Sequence, residues 1–164
     1  MYNNVYLLLG SNLGEKLLIL KEALEFIRIE IGDVVKCSSF YESEPWGFSS
    51  EDIFVNQVVL IKTELSPFII LKKNQEIEKK LGRKKYGDRY QSRLIDIDIL
   101  FFNDDIIETE ELIIPHKQLH KRMFTLLPLY ELDKNLLHPK FGKTISELIE
   151  KCKDEIKVKV IKKF

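Results

Sequence analysis

The sequence predicts an α+β domain with a β-α-β-β-α-β core and an antiparallel sheet, followed by a C-terminal extension of helix and strand. Three observations lead there. Short apolar, β-branched runs alternate with two stretches of three- and four-residue apolar spacing. The resulting order, β-α-β-β-α-β, is the one that goes with an antiparallel sheet. The length, 164 residues, suggests one domain over residues 1–164.

Taken in order, Val5 to Leu9 is a short apolar run ending at Gly10-Ser11-Asn12, read as a strand and a turn. From Leu13 to Ile31, Leu17, Leu20, Leu24, Ile27 and Ile31 recur at helical spacing, and Gly32 is the expected stop. Val34 to Tyr41 reads as a second strand. Glu42 to Asp52 reads as a loop, and Ile53 to Thr63 as a third strand. Ser66-Pro67 opens a second helix, expected to run to Leu81 and to end at Gly82. Arg83 to Ser92 is a charged loop. Leu94 to Phe102 is the fourth strand, closed by the turn residues Asn103-Asp104-Asp105. This order is the split βαβ, or ferredoxin-like, arrangement. Beyond it, Ile113 to His116 suggests a strand end and Met123 to Leu132 a helix bent at Pro128. Thr144 to Cys152 suggests a helix and Val158 to Ile161 a last strand. His138 reads as loop.

The chain is 45% hydrophobic and 32% charged, so it can bury a sizeable core and still dissolve. A formal net charge of zero argues against binding driven by global charge. The two cysteines, Cys37 and Cys152, lie far apart without a CxxC pattern, which fits a reducing compartment. The N-terminus has no basic segment before its short apolar run, and no window nears the ~20 apolar residues of a membrane span. The expectation is a cytoplasmic protein.

The chemistry concentrates around RLIDIDILFF, Arg93 to Phe102. In a strand, Asp96 and Asp98 point to one face, roughly 6–7 Å apart at Cα, while Ile95, Ile97 and Ile99 face a core. A wet sheet face would explain exposed carboxylates. Yet aspartate is a poor strand former, and like charges side by side repel. A hard divalent cation would relieve that repulsion, and a pair at this spacing suits two ions. The preceding loop, GRKKYGDRYQSR, carries Arg83, Lys84, Lys85, Arg89 and Arg93 against Asp88 alone. A basic loop beside an acidic pair suits a polyphosphate bridged by metal, although such a run can also be a solvated surface.

Other candidates fall away. GSNLGEK, Gly10 to Lys16, lacks the spacing and the Ser/Thr of a phosphate loop. His116 and His120 are four apart, but no third ligand has zinc-like spacing and Pro115 argues against a helix there.

With these motifs the sequence resembles the 6-hydroxymethyl-7,8-dihydropterin pyrophosphokinases of folate biosynthesis. LLLGSNLGEK, SSFYESEPWG, FVNQVV, RLIDIDILFF and IIPHKQLHKRMFTLLPL carry the likeness over essentially the whole chain. The resemblance implies a reaction: the pterin hydroxymethyl oxygen attacks the β-phosphorus of MgATP, pyrophosphate is transferred whole, and AMP leaves. It implies two Mg²⁺ ions on Asp96 and Asp98. It places Gln75, Glu78, Lys85, Ile99, His116 and Arg122 against ATP, and gives Arg83, Arg89 and Arg93 phosphate-binding or transfer roles. Ser43, Pro45, Trp46, Phe54, Asn56 and Phe124 would form the pterin pocket, with Phe124 and Phe54 on opposite ring faces.

Some positions depart from the family pattern. Phe54 stands where tyrosine is frequent, and Tyr90-Gln91-Ser92 where tryptophan-glycine-proline is frequent. Lys85 replaces an arginine, and Lys117 replaces an aromatic seen in some members. The expected partners are the two small-molecule substrates, with no nucleic acid and no membrane, and the expected state is a monomer. An RNA-binding module is the alternative from another class, but the two aspartates would repel phosphates unless metal is bound. A metal-dependent nucleotide-sugar transferase is a third reading, disfavoured by the short chain and the pterin-like loop.

Overall fold

The computed structural model describes residues 1–44, 53–82 and 94–162. Strand β1 (Asn3–Ser11) leads into helix α1 (Lys16–Glu30), then β2 (Asp33–Cys37), β3 (Phe40–Ser43), β4 (Phe54–Thr63), α2 (Pro67–Gly82) and β5 (Asp96–Phe102). Two short strands follow, β6 (Ile107–Glu108) and β7 (Ile113–Ile114), then a 3₁₀ turn (Leu119–Lys121) and α3 (Met123–Asp133). The chain ends with β8 (Leu137–His138), β9 (Lys143–Thr144), α4 (Ile145–Lys151) and β10 (Val158–Lys162).

The main sheet runs β10-β3-β4-β1-β5, with β2 also paired to β4, and every pairing is antiparallel. One face carries Leu7, Leu9, Val59, Ile61, Ile97 and Ile99, packed with Leu20, Leu24 and Ile27 of α1 and Ile70 and Ile77 of α2. The other carries Tyr6, Leu8, Val58, Leu100 and Phe101 against Leu126 and Leu129 of α3 and Ile145 and Leu148 of α4. Each sheet face thus buries its alternate residues under a helical layer.

The expected second strand is two. Ser38 and Ser39 break it, because Ser38 bonds to β4 through its side chain as well as its backbone. Its Oγ accepts from Val58 N–H at 2.9 Å, and its own N–H donates to Val58 O at 2.8 Å. Across the break, Glu131 of α3 accepts from both the N–H and the hydroxyl of Ser39. Burial and the Glu131 charge push the Tyr41 hydroxyl up to about 12.

Gly32 does stop α1, but for want of space rather than for a left-handed backbone. A Cβ there would lie 2.3 Å from the Lys62 carbonyl oxygen. Ser66 and Pro67 open α2 as expected, with Ser66 O accepting from Ile70 N–H at 3.0 Å. Thr144 caps α4 through a reciprocal bond with Glu147. The helix expected from Leu13 starts at Lys16, and the strand expected from Leu94 starts at Asp96.

His138 is not loop. It lies in β8, 2% exposed, its ring stacked on Phe141 at 4.1 Å. Burial, then the neighbouring His120, pushes its pKa down to about 4. The folded chain thus keeps it neutral where the unfolded chain would take a proton. The resulting stability is present above about pH 6.5 and is lost as pH falls toward 4. The expected loss is on the order of 2 kcal/mol. His138→Phe keeps the stacking and removes the titration. Melting curves between pH 7 and 4.5 should therefore show a shallower pH slope for it than for the wild type.

Candidate active site

Three strands bring the floor of the site together. In register across the sheet, Asn56 of β4 faces Gly10 of β1, and Gly10 faces Asp96 of β5. One pair further along, Val58 faces Leu8 and Leu8 faces Asp98. Asp96 and Asp98 are half-buried on this face, while Ile95, Ile97 and Ile99 are buried. The alternation expected from sequence is therefore what the strand shows.

Gly10 leaves a hollow between Asn56 and Asp96. A Cβ at Gly10 would sit 2.7 Å from Asn56 Oδ1. Sequence reading placed Gly10 in a turn, but β1 continues through Ser11. The available signal was a glycine at the end of an apolar strand, which often marks close approach.

Helix α3 covers only part of this face. Its N-terminal end supplies Arg122 and Phe124 as the wall of a cleft of about 190 Å³, whose floor is Leu8, Gly10, Phe54, Asn56, Asp96 and Asp98. Asn56 Nδ2 donates to Ser43 Oγ at 3.3 Å, so Ser43 holds a lining residue without lining the cleft itself. The Arg122 guanidinium lies 5.5 Å from the centre of the Phe124 ring.

A second cleft, about 460 Å³, wraps the edge strand β5. Leu71, Ile97, Ile99, Leu112 and Ile113 give it an apolar part; Asp98, His116, Lys117, Gln118 and Arg122 give it a polar part. Glu110 and Glu111 also line it and were not anticipated. Their carboxylates accept rather than donate, which suits hydroxyl or amine groups of a ligand rather than phosphate.

His116 is placed by backbone geometry. The register between β1 and β5 shifts at Tyr6/Leu7, leaving Leu100 as an extra residue. Leu100 O accepts from His116 N–H at 3.0 Å. The ring Nδ1 accepts from Gln118 N–H at 3.2 Å, and Nε2 lies 3.9 Å from Asp98 Oδ2. Burial, then Arg122 and Lys117, pushes His116 down to about 4. It is therefore neutral at pH 7, with its proton on Nε2 facing Asp98.

Gln75 is exposed on α2 and Glu78 is half-buried on it, and neither is among the described residues lining either cleft. Glu78 Oε1 accepts from Ile97 N–H at 3.2 Å, tying α2 to the strand between the two aspartates. Pro45, Trp46, Arg83, Lys85, Arg89 and Arg93 lie outside the described residues.

Among the described residues no group of three or more His, Cys, Asp or Glu could hold a metal. Asp96 and Asp98 form a hard-oxygen pair on one strand face. That fits Mg²⁺, which takes one or two carboxylates and completes its shell with water and substrate phosphates. Among the described residues no helix is long and apolar enough to cross a membrane. Cys37 and Cys152 are both free.

A smaller aromatic-walled cleft and a larger one, sharing Asp98 and Arg122, suit an enzyme that brings two small molecules together. The profile of the 7,8-dihydro-6-hydroxymethylpterin-pyrophosphokinase (HPPK) family matches residues 6–134, and the chain belongs to that family. It is 41% identical to a 2-amino-4-hydroxy-6-hydroxymethyldihydropteridine pyrophosphokinase of Aquifex aeolicus, over 87% of this chain and 88% of that protein. With the enzyme of the same name from Porphyromonas gingivalis the identity is 44%, over 82% and 93%. With that of Haemophilus influenzae it is 38%, over 94% and 96%. The crystal structure of Plasmodium falciparum HPPK-DHPS wild type with pteroate superposes with a TM-score of 0.77 over 92% of this chain. This chain spans 44% of that longer one at 19% identity, so the likeness is one of fold.

Proposed function

We propose that the two clefts are the substrate sites of one pyrophosphoryl transfer, the smaller for the pterin and the larger for ATP. As a member of its family the chain is a pyrophosphokinase. It transfers pyrophosphate from ATP to the hydroxymethyl group of 6-hydroxymethyl-7,8-dihydropterin, a step of folate biosynthesis, and releases AMP. The observation that carries the assignment of sites is that Asp98 and Arg122 line both clefts. Transfer needs the attacking oxygen and the β-phosphorus to meet, and residues common to both clefts mark where they meet.

In this reading Phe54 and Phe124 sandwich the pterin ring, and Asn56, steadied by Ser43, hydrogen-bonds its edge. Pro45 and Trp46 complete the pocket. Ile99, with Leu71 and Leu112, packs on the nucleotide base. Arg122 holds phosphate oxygens at the junction, and neutral His116 offers a hydrogen-bond donor there. Gln75, Glu78 and Lys85 complete the nucleotide side, and Arg83, Arg89 and Arg93 bring further positive charge to the transferring group. Asp96 and Asp98 would hold two Mg²⁺ ions, whose chemistry is to neutralise the polyphosphate. The strand order supports a ferredoxin-like core within a single domain spanning 1–164. The protein acts as a monomer in the cytoplasm, without nucleic-acid or membrane partners.

Gly10→Ala tests the floor of the pterin cleft. The new methyl displaces Asn56, which is 3% exposed and bonded to Ser43. The KM for the pterin is expected to rise about tenfold, as for loss of one or two hydrogen bonds, with the KM for ATP much less changed.

The test of the reaction is product identity. With MgATP and the pterin, one AMP should form per product, and none without the pterin or without Mg²⁺. ADP as the product would overturn the assignment.

A further inference from the structure

We infer that Asp154 is a positioning residue for the pterin cleft, acting through the first turn of α3. This rests on the assignment of that cleft above. Residues 135–164 lie beyond the segment that matches the family profile, yet the described part of this tail reaches both sides of the site.

Helix α3 begins without a cap of its own. Arg122 occupies the capping position with no side-chain hydrogen bond to the helix, and the first turn holds no acidic residue. The carboxylate that this end lacks comes from 31 residues away: Asp154 Oδ2 accepts from Met123 N–H at 3.0 Å. The other oxygen, Oδ1, accepts from Ile156 N–H at 3.0 Å, which fixes the carboxylate in the tail's own backbone. A carboxylate at a helix N-terminus satisfies an otherwise unpaired N–H and meets the positive end of the helix dipole. Met123 is flanked directly by Arg122 and Phe124, the two residues that form the wall of the cleft.

Four residues after Asp154 the same tail becomes a strand of the main sheet. In β10, Val158 is in register with Ser43 of β3, and Lys159 with Glu42, which it also meets in an ion pair at 3.4 Å. Ser43 is the residue that holds Asn56. The tail is thus anchored behind both sides of the pterin cleft: on Met123, between the two wall residues, and beside Ser43, which holds the floor residue Asn56. Asp154 sets the position of Phe124 and Arg122 relative to Asn56.

The test is steady-state kinetics of Asp154→Ala and Asp154→Asn, with active enzyme titrated and assays run well below each melting temperature. For Asp154→Ala the KM for the pterin is expected to rise about five- to tenfold, the scale of losing a helix cap. The KM for ATP should rise less, because Phe124 lines only the pterin cleft. Asp154→Asn keeps one acceptor oxygen and should fall between. A merely structural role would lower the melting temperature and the amount of active enzyme and leave both KM values unchanged. That outcome in either variant overturns the inference, and Asp154→Asn carries the test if Asp154→Ala does not fold. Phe124→Ala separates this inference from the one beneath it. If it too leaves the pterin KM unchanged, the assignment of the cleft fails. If it raises the KM and Asp154→Ala does not, only the role of Asp154 fails.

Discussion

Asp98→Ala is expected to reduce turnover by about a thousandfold or more while leaving the fold in place. Asp98 lines both clefts, and its side chain is 42% exposed. In the proposed assignment its removal deletes half of the metal-binding pair at the point where the two substrates meet. It also removes one of two like charges that share a strand face, so little stability is at stake. Asp96→Ala should act in the same direction, since its carboxylate projects beside that of Asp98 from the floor of the smaller cleft. Turnover at saturating MgATP and pterin, with circular dichroism and melting temperature as controls, checks both. Near-wild-type activity in either variant would sink the two-metal reading. Asp98→Asn is the sharper version: it keeps the shape, removes the charge, and should lose almost as much.

Arg122→Ala is expected to lower kcat about a hundredfold or more, the scale for one preorganised donor to developing charge. Arg122 is the second residue common to the two clefts and lies against Phe124. Both KM values should also rise, because the guanidinium is part of both linings. Arg122→Lys should recover only a small part of the loss, since an ammonium lacks the two-pronged geometry that phosphate oxygens accept. Initial-rate measurements over both substrates decide it. A variant with only the ATP KM changed would confine Arg122 to the nucleotide.

How far the site was legible in the sequence varied with the range of the interaction. The alternation around Asp96 and Asp98 was readable because a strand dictates it with period two. Helix α2 was readable because Ser66-Pro67 and Gly82 sit at its ends. The split of the second strand was not, because Ser38 leaves the strand only by bonding to Val58, twenty residues on. His138 looked like loop because its burial depends on Phe101, far back in the chain, as well as on nearby Phe141. The cleft roles of Glu110, Glu111 and Leu71 gave no local signal. They become lining residues only when the segment after β5 folds back along the sheet edge.

The sequence by itself determined the order of the core elements, the face of the aspartate pair and, through its motifs, the family. Each of these depends on residue types at short, fixed spacing, where backbone geometry leaves few choices. Only the tertiary structure decided that Asp98 and Arg122 are shared by two clefts. It also decided that Gly10 opens the floor between Asn56 and Asp96, and that Asp154 caps the helix carrying the wall. Those are relations between residues dozens of positions apart. They are set by sheet register and by which helix covers which half of a face, and no local pattern encodes either.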